Sequence, residues 1–230
     1  MKYLFLIPAR GGSKGIPGKN VKEFAGKPLI ARTVEQAVEV ACDVADVVVS
    51  TDSEEIAAAA AEAGAPVPFM RPAELAGDRT PTRDVIIHAL EWLASHGRRY
   101  DGVVLLQTTS PLRRVEDIRN AIRIFEDNPR ADMAVSVCEA SANPYYDAFE
   151  TDPSGSLRIC KGSGEFTRRQ DAPVVWQYNG AVYVMKPQSI IDMPMSRFPS
   201  IVPSPMPREL SVDLDTPLDW IVAETIFQNL

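Results

Sequence analysis

MKYLFLIPARGGSKGIPGKN, residues 1–20, begins with an apolar run at 3–7 and passes directly into a loop that sets Gly11, Gly12, Gly15 and Gly18 among Arg10, Lys14 and Lys19. A near-continuous apolar run of this length reads as a strand buried on both faces, the signature of a parallel sheet. The glycines let backbone N–H groups turn toward a ligand, and the cations beside them favour an anion, so the loop reads as a phosphate cradle. Spacing excludes the two common cradles. Counting back from Gly18-Lys19 puts Ser13 where a Walker loop needs its first glycine, and Asn20 where it needs a magnesium-binding hydroxyl. No glycines stand in the G-x-G-x-x-G spacing of a dinucleotide fingerprint.

Outward from this loop the alternation of strand and helix repeats. Residues 47–50, 103–106 and 133–137 read as further buried parallel strands, and 28–41, 54–63, 83–95 and 116–126 carry the helical period. Ser53 and Thr82 stand where N-caps belong, and Gly64 and Gly97 where helices stop. This pattern predicts an α/β fold, a mostly parallel sheet covered on both faces, within a single domain over 1–230. From about residue 138 the composition shifts to Pro, Gly, Ser, Asp and Asn, with strand-like pieces only at 147–150 and 156–159, which predicts an insertion over 139–176 built on antiparallel strands. The α/β pattern resumes at 180–185. A proline-rich passage, 194–207, leads to a strand end at 211–214, and a last helix follows Thr216 with Pro217 at its first position. Ligands of open α/β sheets bind beyond the carboxyl ends of the strands, so loops 8–20, 50–53, 107–114 and 213–216 should meet at one crevice.

Composition narrows the function. A length of 230 residues, 45% hydrophobic and 24% charged, is ordinary for one well-cored domain. The net charge of −7 disfavours nucleic acid as a partner. Local clusters of cations at 10–27 and at Arg168-Arg169 suit a small anionic ligand instead. No apolar run approaches the ~20 residues that cross a bilayer, which predicts no membrane association and a cytoplasmic protein. Cys42, Cys138 and Cys160 have neither disulfide-framework nor zinc spacing. His88 lies among Val85, Ile86, Ile87 and Leu90, and His96 precedes a helix-ending glycine, so both read as structural.

IPARGGSKGIPGKN fits I-P-A-R-x-x-S-K-G-[ILV]-x-x-K-N at every fixed position, and GKPLIARTV, VSTDSEEIA, PFMRPAELAGD, LLQTTSPLR, RRQDAP, YNGAVYV and SVDLDT follow in order. In these motifs the chain resembles the acylneuraminate cytidylyltransferases, enzymes of the CMP-sialic acid synthetase type. The resemblance implies a three-layer, Rossmann-like nucleotidyltransferase sheet with a small antiparallel insertion for dimerisation and sugar binding. It implies transfer of CMP from CTP to a 2-keto-3-deoxy nonulosonic acid, with pyrophosphate leaving, magnesium required and a homodimer as the assembly. Carried over residue by residue, it makes Arg10 and Lys19 catalytic and adds Ala9, Gly12, Ser13, Lys14, Asn20, Arg71 and Thr82 as nucleotide contacts. Gln107, Arg169, Gln177 and Tyr183 become sugar contacts, and Asp213 and Asp215 metal ligands. The chemistry agrees with these residue types. Attack at the α-phosphorus pushes charge onto the phosphate oxygens and the leaving pyrophosphate, where fixed cations stabilise it. Two carboxylates one residue apart at a strand end point the same way and offer hard oxygens to magnesium.

The match departs from the family in the sugar half. Gln177-Tyr178-Asn179-Gly180 stands where sialic acid enzymes commonly read R-P-N-G. That leaves legionaminic, pseudaminic and deaminated nonulosonic acids as acceptors beside sialic acid itself. Pro17-Gly18 leans toward the CMP-Kdo synthetases, which run the same chemistry on a shorter sugar acid. A non-catalytic nucleotide-binding homologue is the reading of a different class.

Overall fold

The computed structural model describes residues 1–42 and 45–230. In chain order its strands are β1 (Tyr3–Pro8), β2 (Glu23–Phe24), β3 (Lys27–Pro28), β4 (Asp46–Ser50), β5 (Gly102–Leu106), β6 (Met133–Glu139), β7 (Phe149–Thr151), β8 (Leu157–Ile159), β9 (Trp176–Met185) and β10 (Ile201–Pro205). The helices are α1 (Leu29–Ala41), α2 (Glu54–Glu62), α3 (Thr82–Ser95), α4 (Val115–Asp127), α5 (Pro187–Asp192) and α6 (Pro217–Phe227).

The central sheet has the order β10-β6-β9-β5-β1-β4. β1 runs parallel to β4 and β5, and β10 parallel to β6. β9 alone lies antiparallel, between β5 and β6. The apolar runs are unbroken because both faces are covered: in β1, Phe5 and Ile7 enter one core while Leu4 and Leu6 enter the other. The first core takes α1 through Leu29, Ile30 and Val34, α4 through Ile118, Ala121 and Phe125, and α6 through Trp220 and Ala223. The second takes α3 through Ile86, Ala89 and Leu93, and α5 through Ile190. The result is the three-layer, mostly parallel α/β architecture that the alternation predicts.

Three local readings are corrected. Thr82 is not a cap: α3 begins with it, Pro81 holds the N-cap position, and no side chain closes that end. Segment 211–214 is irregular coil that turns tightly at Leu214, where the Asp215 N–H donates to the Asp213 carbonyl at 3.1 Å, and the strand falls earlier, at β10, inside the proline-rich passage. Pro203 and Pro205 are tolerated there because β10 is an edge strand and need not donate on its outer side. β9 begins at Trp176, earlier than the apolar run suggests. Its first residues are exposed, and Gly180 (φ +76°) marks the irregularity where the pairing with β6 shifts register between Val135 and Val137.

Other punctuation holds. The Ser53 hydroxyl accepts from the N–H of Ile56 at 3.4 Å, and Gly64 and Gly97 take positive φ just past α2 and α3. Residues 140–175, between β6 and β9, carry the separate antiparallel pair β7-β8. Among the described residues no helix is long and apolar enough to cross a membrane.

Candidate active site

The carboxyl ends of β1 and β5 open on a crevice of about 330 Å³. It is lined by Arg10, Ser13, Lys14, Gly15, Lys19 and Asn20 from the first loop, by Gln107, Thr108 and Thr109 after β5, and by Asp215. The segment from Arg71 to Thr82 forms the remaining wall, with Leu75, Asp78 and Thr80 between them. Loop 50–53 supports the crevice from behind: the N–H of Gly11 donates to Asp52 Oδ1 at 2.9 Å, and Arg71 Nε donates to the Ser50 hydroxyl at 3.1 Å.

The phosphate loop is held from its own ends. Asn20 is buried; its Nδ2 donates to the Arg10 carbonyl at 2.9 Å, and its Oδ1 accepts from the Thr108 hydroxyl at 2.6 Å. Lys19 Nζ donates to the Leu214 carbonyl at 2.6 Å, joining the loop to the acidic segment near the other end of the sequence. Gly15 makes that junction sterically possible, because a Cβ there would lie 2.1 Å from the Asp215 carbonyl oxygen. Ala9 turns its N–H to the Ser50 carbonyl at 3.0 Å, and Gly12 faces open space.

Four cations, Arg10, Lys14, Lys19 and Arg71, border this one crevice. Burial pushes Arg71 down to about 10, with Asp52 opposing and Arg10 adding to the shift, so it stays charged at neutral pH. Burial also lowers the Lys19 ammonium, against the opposing pull of Asp215 and Asp213. Arg10 pairs with Asp78 at 3.0 Å and Lys14 pairs with the same carboxylate, whose pKa is held below the ordinary range by Lys14 first and Arg10 next. A polyphosphate entering the crevice therefore takes over cations that Asp78 already engages.

Asp213 and Asp215 flank Leu214 at the turn in this coil. Asp213 is open to solvent on one side and crowded by protein on the others, and this burial raises its carboxyl. The charge of Asp215 adds to the rise, while a hydrogen bond from Thr109 and the charge of Lys19 oppose it. Asp215 is not consumed in capping α6, since Thr216 and Asp219 form that capping box between them. The two acids are thus hard-oxygen donors with mutual repulsion to relieve, a donor set that fits a divalent cation. Among the described residues no group of three or more His, Cys, Asp or Glu is gathered for a metal.

The residues that the resemblance makes sugar contacts are more dispersed. Gln107 lines the crevice. Tyr183 feels the charge of Asp213, stacks edge-on against Tyr178 (centroids 6.3 Å apart, planes at 88°), and is pushed up to about 12 by burial. Gln177 sits opposite Cys138 on the exposed part of β9. Arg169 turns its guanidinium to the Ala140 and Ser141 carbonyls, both at 2.7 Å, and to Asp147 at 3.6 Å. Ala9, Gly12, Arg169, Gln177, Tyr183 and Asp213 do not line the crevice themselves. His88 packs edge-on against Phe69, and His96 stacks on Trp92, both away from the crevice lining.

Sequence reading passed over Asp52, Asp78, Thr108 and Thr109. Asp52 and Asp78 stand inside VSTDSEEIA and PFMRPAELAGD, so their motifs were visible, but acidic residues have the wrong sign for a search after phosphate ligands.

A crevice cationic where a triphosphate would lie and acidic along one wall is the equipment of a nucleotidyltransferase. Residues 4–192 match the profile of the cytidylyltransferase family, and the chain belongs to that family of enzymes. A CMP-N,N'-diacetyllegionaminic acid synthase of Legionella pneumophila is 35% identical over 231 residues, 99% of this chain and 97% of its own. A pseudaminic acid cytidylyltransferase of Campylobacter jejuni is 32% identical over 228 residues, covering 99% of this chain and 97% of that one. The solved structure of a CMP:2-keto-3-deoxy-manno-octonic acid synthetase complexed with CTP aligns over the full length of both chains with a TM-score of 0.71 at 21% identity, a likeness of fold.

Proposed function

We propose that this enzyme transfers CMP from CTP to the anomeric hydroxyl of a 2-keto-3-deoxy nonulosonic acid, giving the CMP-sugar and pyrophosphate. The observation that carries the proposal is the placing of Arg10, Lys14, Lys19 and Arg71 around one crevice, with the Asp213–Asp215 pair beside Lys19. The two relatives named for legionaminic and pseudaminic acid, each matched over nearly its whole length, support the acceptor class.

In this reading the acceptor hydroxyl gives up its proton to solvent and its oxygen forms a bond to the α-phosphorus as the bond from that phosphorus to the bridging oxygen of pyrophosphate breaks. The leaving group gains negative charge. Arg10, Lys14 and Lys19 are held in place before that charge develops, so stabilising it costs little reorganisation. Arg71, fixed by Ser50, holds the nucleotide end. Gln107 and Tyr183 orient the acceptor. Asp213 and Asp215 would hold magnesium, which when bound shields the triphosphate's charge and polarises the phosphoryl group.

The insertion leaves Phe149, Leu157 and Val174 exposed, and Trp176 is exposed at the start of β9. Apolar side chains left exposed on so small an insertion are suited to cover by another protein surface, and the fitting partner is a second copy of the chain.

The deciding experiment measures pyrophosphate release with CTP and magnesium over sialic, legionaminic, pseudaminic, deaminated nonulosonic and Kdo acids. Release with one or more nine-carbon acids, at a kcat/KM above that for Kdo, is the expected result. Stabilisation by CTP with no release from any acid would leave the non-catalytic reading instead.

A further inference from the structure

We propose that Arg113 is a positioning residue for catalysis: its buried guanidinium fork fixes the end of β5 against β9, and thereby sets the acceptor side of the crevice without touching substrate. The proposal rests on the reading of Gln107 and Tyr183 as acceptor contacts.

Arg113 is only 1% exposed, the bulkiest of the fully buried side chains among the described residues. Its charge is met by neutral oxygens. Nη1 donates to the Gln107 carbonyl at 2.9 Å and to the Ala181 carbonyl at 2.8 Å, and Nη2 donates to Gln36 Oε1 at 3.0 Å. The Gln36 amide donates back to the Arg113 carbonyl, while Nε has no partner. Burial pushes the guanidinium down to about 10, with Asp117 the one opposing charge, and it remains a cation at neutral pH. A buried cation held only by neutral oxygens is a poor device for stability, because a packed apolar side chain avoids the desolvation cost altogether. What it supplies instead is geometry. Nη1 directs its two N–H groups at the two carbonyls while Nη2 is held by Gln36, so the rigid plane fixes the direction of both bonds, whereas a lysine's rotating ammonium has no second nitrogen for Gln36 to hold.

Those carbonyls lie at decisive places. Gln107 is the first residue beyond β5, and Ala181 follows the Gly180 irregularity in β9 two positions before Tyr183. Segment 107–109 is itself a junction. The Thr108 hydroxyl bonds Asn20 of the phosphate loop, and the Thr109 carbonyl accepts from the N–H of Leu214 at 2.8 Å, between the two aspartates. Arg113 fastens this junction from beneath. The phosphate loop has further anchors in the Lys19–Leu214 bond and in the Ile30 N–H to Asn20 carbonyl bond at 2.8 Å, so the nucleotide half depends on Arg113 less.

The test uses the full-length enzyme as R113K, R113M and Q36L, with folding followed by circular dichroism and thermal midpoint. In folded variants of Arg113, kcat/KM for the acceptor should fall tenfold or more, about the value of a hydrogen bond to a charged group. The CTP dissociation constant, read by calorimetry, should stay within about threefold because the phosphate loop keeps its other anchors. R113K should rescue little despite its charge. Q36L, which lies on α1 and removes one arm of the clasp, should give a smaller loss with the same division between acceptor and CTP. Acceptor kinetics like wild type in a folded Arg113 variant would overturn the proposal, as would a loss shared equally by CTP binding. If neither Arg113 variant folds, Q36L alone decides between the same outcomes. Wild-type enzyme inert toward every nonulosonic acid would instead defeat the acceptor reading, and this inference with it.

Discussion

At the scale of single residues, the site depends on contacts that leave no room for substitution. Gly15 meets the Asp215 carbonyl so closely that any side chain must drive the phosphate loop and the acidic segment apart. Gly15→Ala should therefore lower kcat/KM for CTP by about a hundredfold, the cost of misplacing reacting groups by roughly an ångström; steady-state kinetics on the folded variant checks this. Lys19 is bound by a different constraint. Because burial depresses its pKa, it gives up its proton at a lower pH than a free lysine, and the charge that the proposed mechanism sets against the leaving pyrophosphate disappears as pH rises through that lowered value. The kcat/KM for CTP, which reports the free enzyme, should fall on the alkaline side earlier than an ordinary amine would allow. In Lys19→Arg the alkaline limb should move to higher pH, even though activity at neutral pH is reduced, and a pH–rate profile of the two enzymes reads the difference.

Among the elements, α6 shows how a helix start serves the site. Thr216 and Asp219 cap each other, and the Asp219 carboxylate also accepts from the N–H of Asp215 at 3.2 Å. Thr216→Ala should cost about 1 kcal/mol. For a chain of this length that is a fall of roughly 2–4 °C in the thermal midpoint, measurable by calorimetry. Elements of this kind were legible in the sequence, since a capping threonine before a first-turn proline and an acid three residues on is a local signal. So were β1, β4, β5 and β6, whose two buried faces demand unbroken apolar runs. β10 was not, because Pro203 and Pro205 look like loop until its edge position is known. The first half of β9 was hidden likewise, its Trp-Gln-Tyr-Asn start being neither apolar nor alternating. In the site, charge and glycine spacing revealed Arg10, Lys14 and Lys19. The partners that hold their loop, Asp52 at Gly11, Asp78 at Arg10 and Lys14, and Thr108 at Asn20, depend on how distant loops meet, which no local pattern records.

For the whole molecule, assembly and connectivity set the terms. If a second copy covers the insertion, placing charge on its exposed apolar residues should prevent pairing: Phe149→Asp with Leu157→Asp should sediment as a monomer yet still bind CTP through the separate crevice. The crevice in turn is closed by chain segments that lie far apart in sequence. Lys19 reaches Leu214 across 195 positions, and Gly15 rests on Asp215. Joining such distant segments is entropically costly and slow compared with forming the local helices between them. During refolding, helical circular dichroism should therefore recover before CTP binding does, with the nucleotide site among the last features to appear. The bond from Lys19 to Leu214 thus makes the capacity to bind nucleotide a clock for completed folding, since a chain that has formed its helices but not joined its two ends has no crevice to offer.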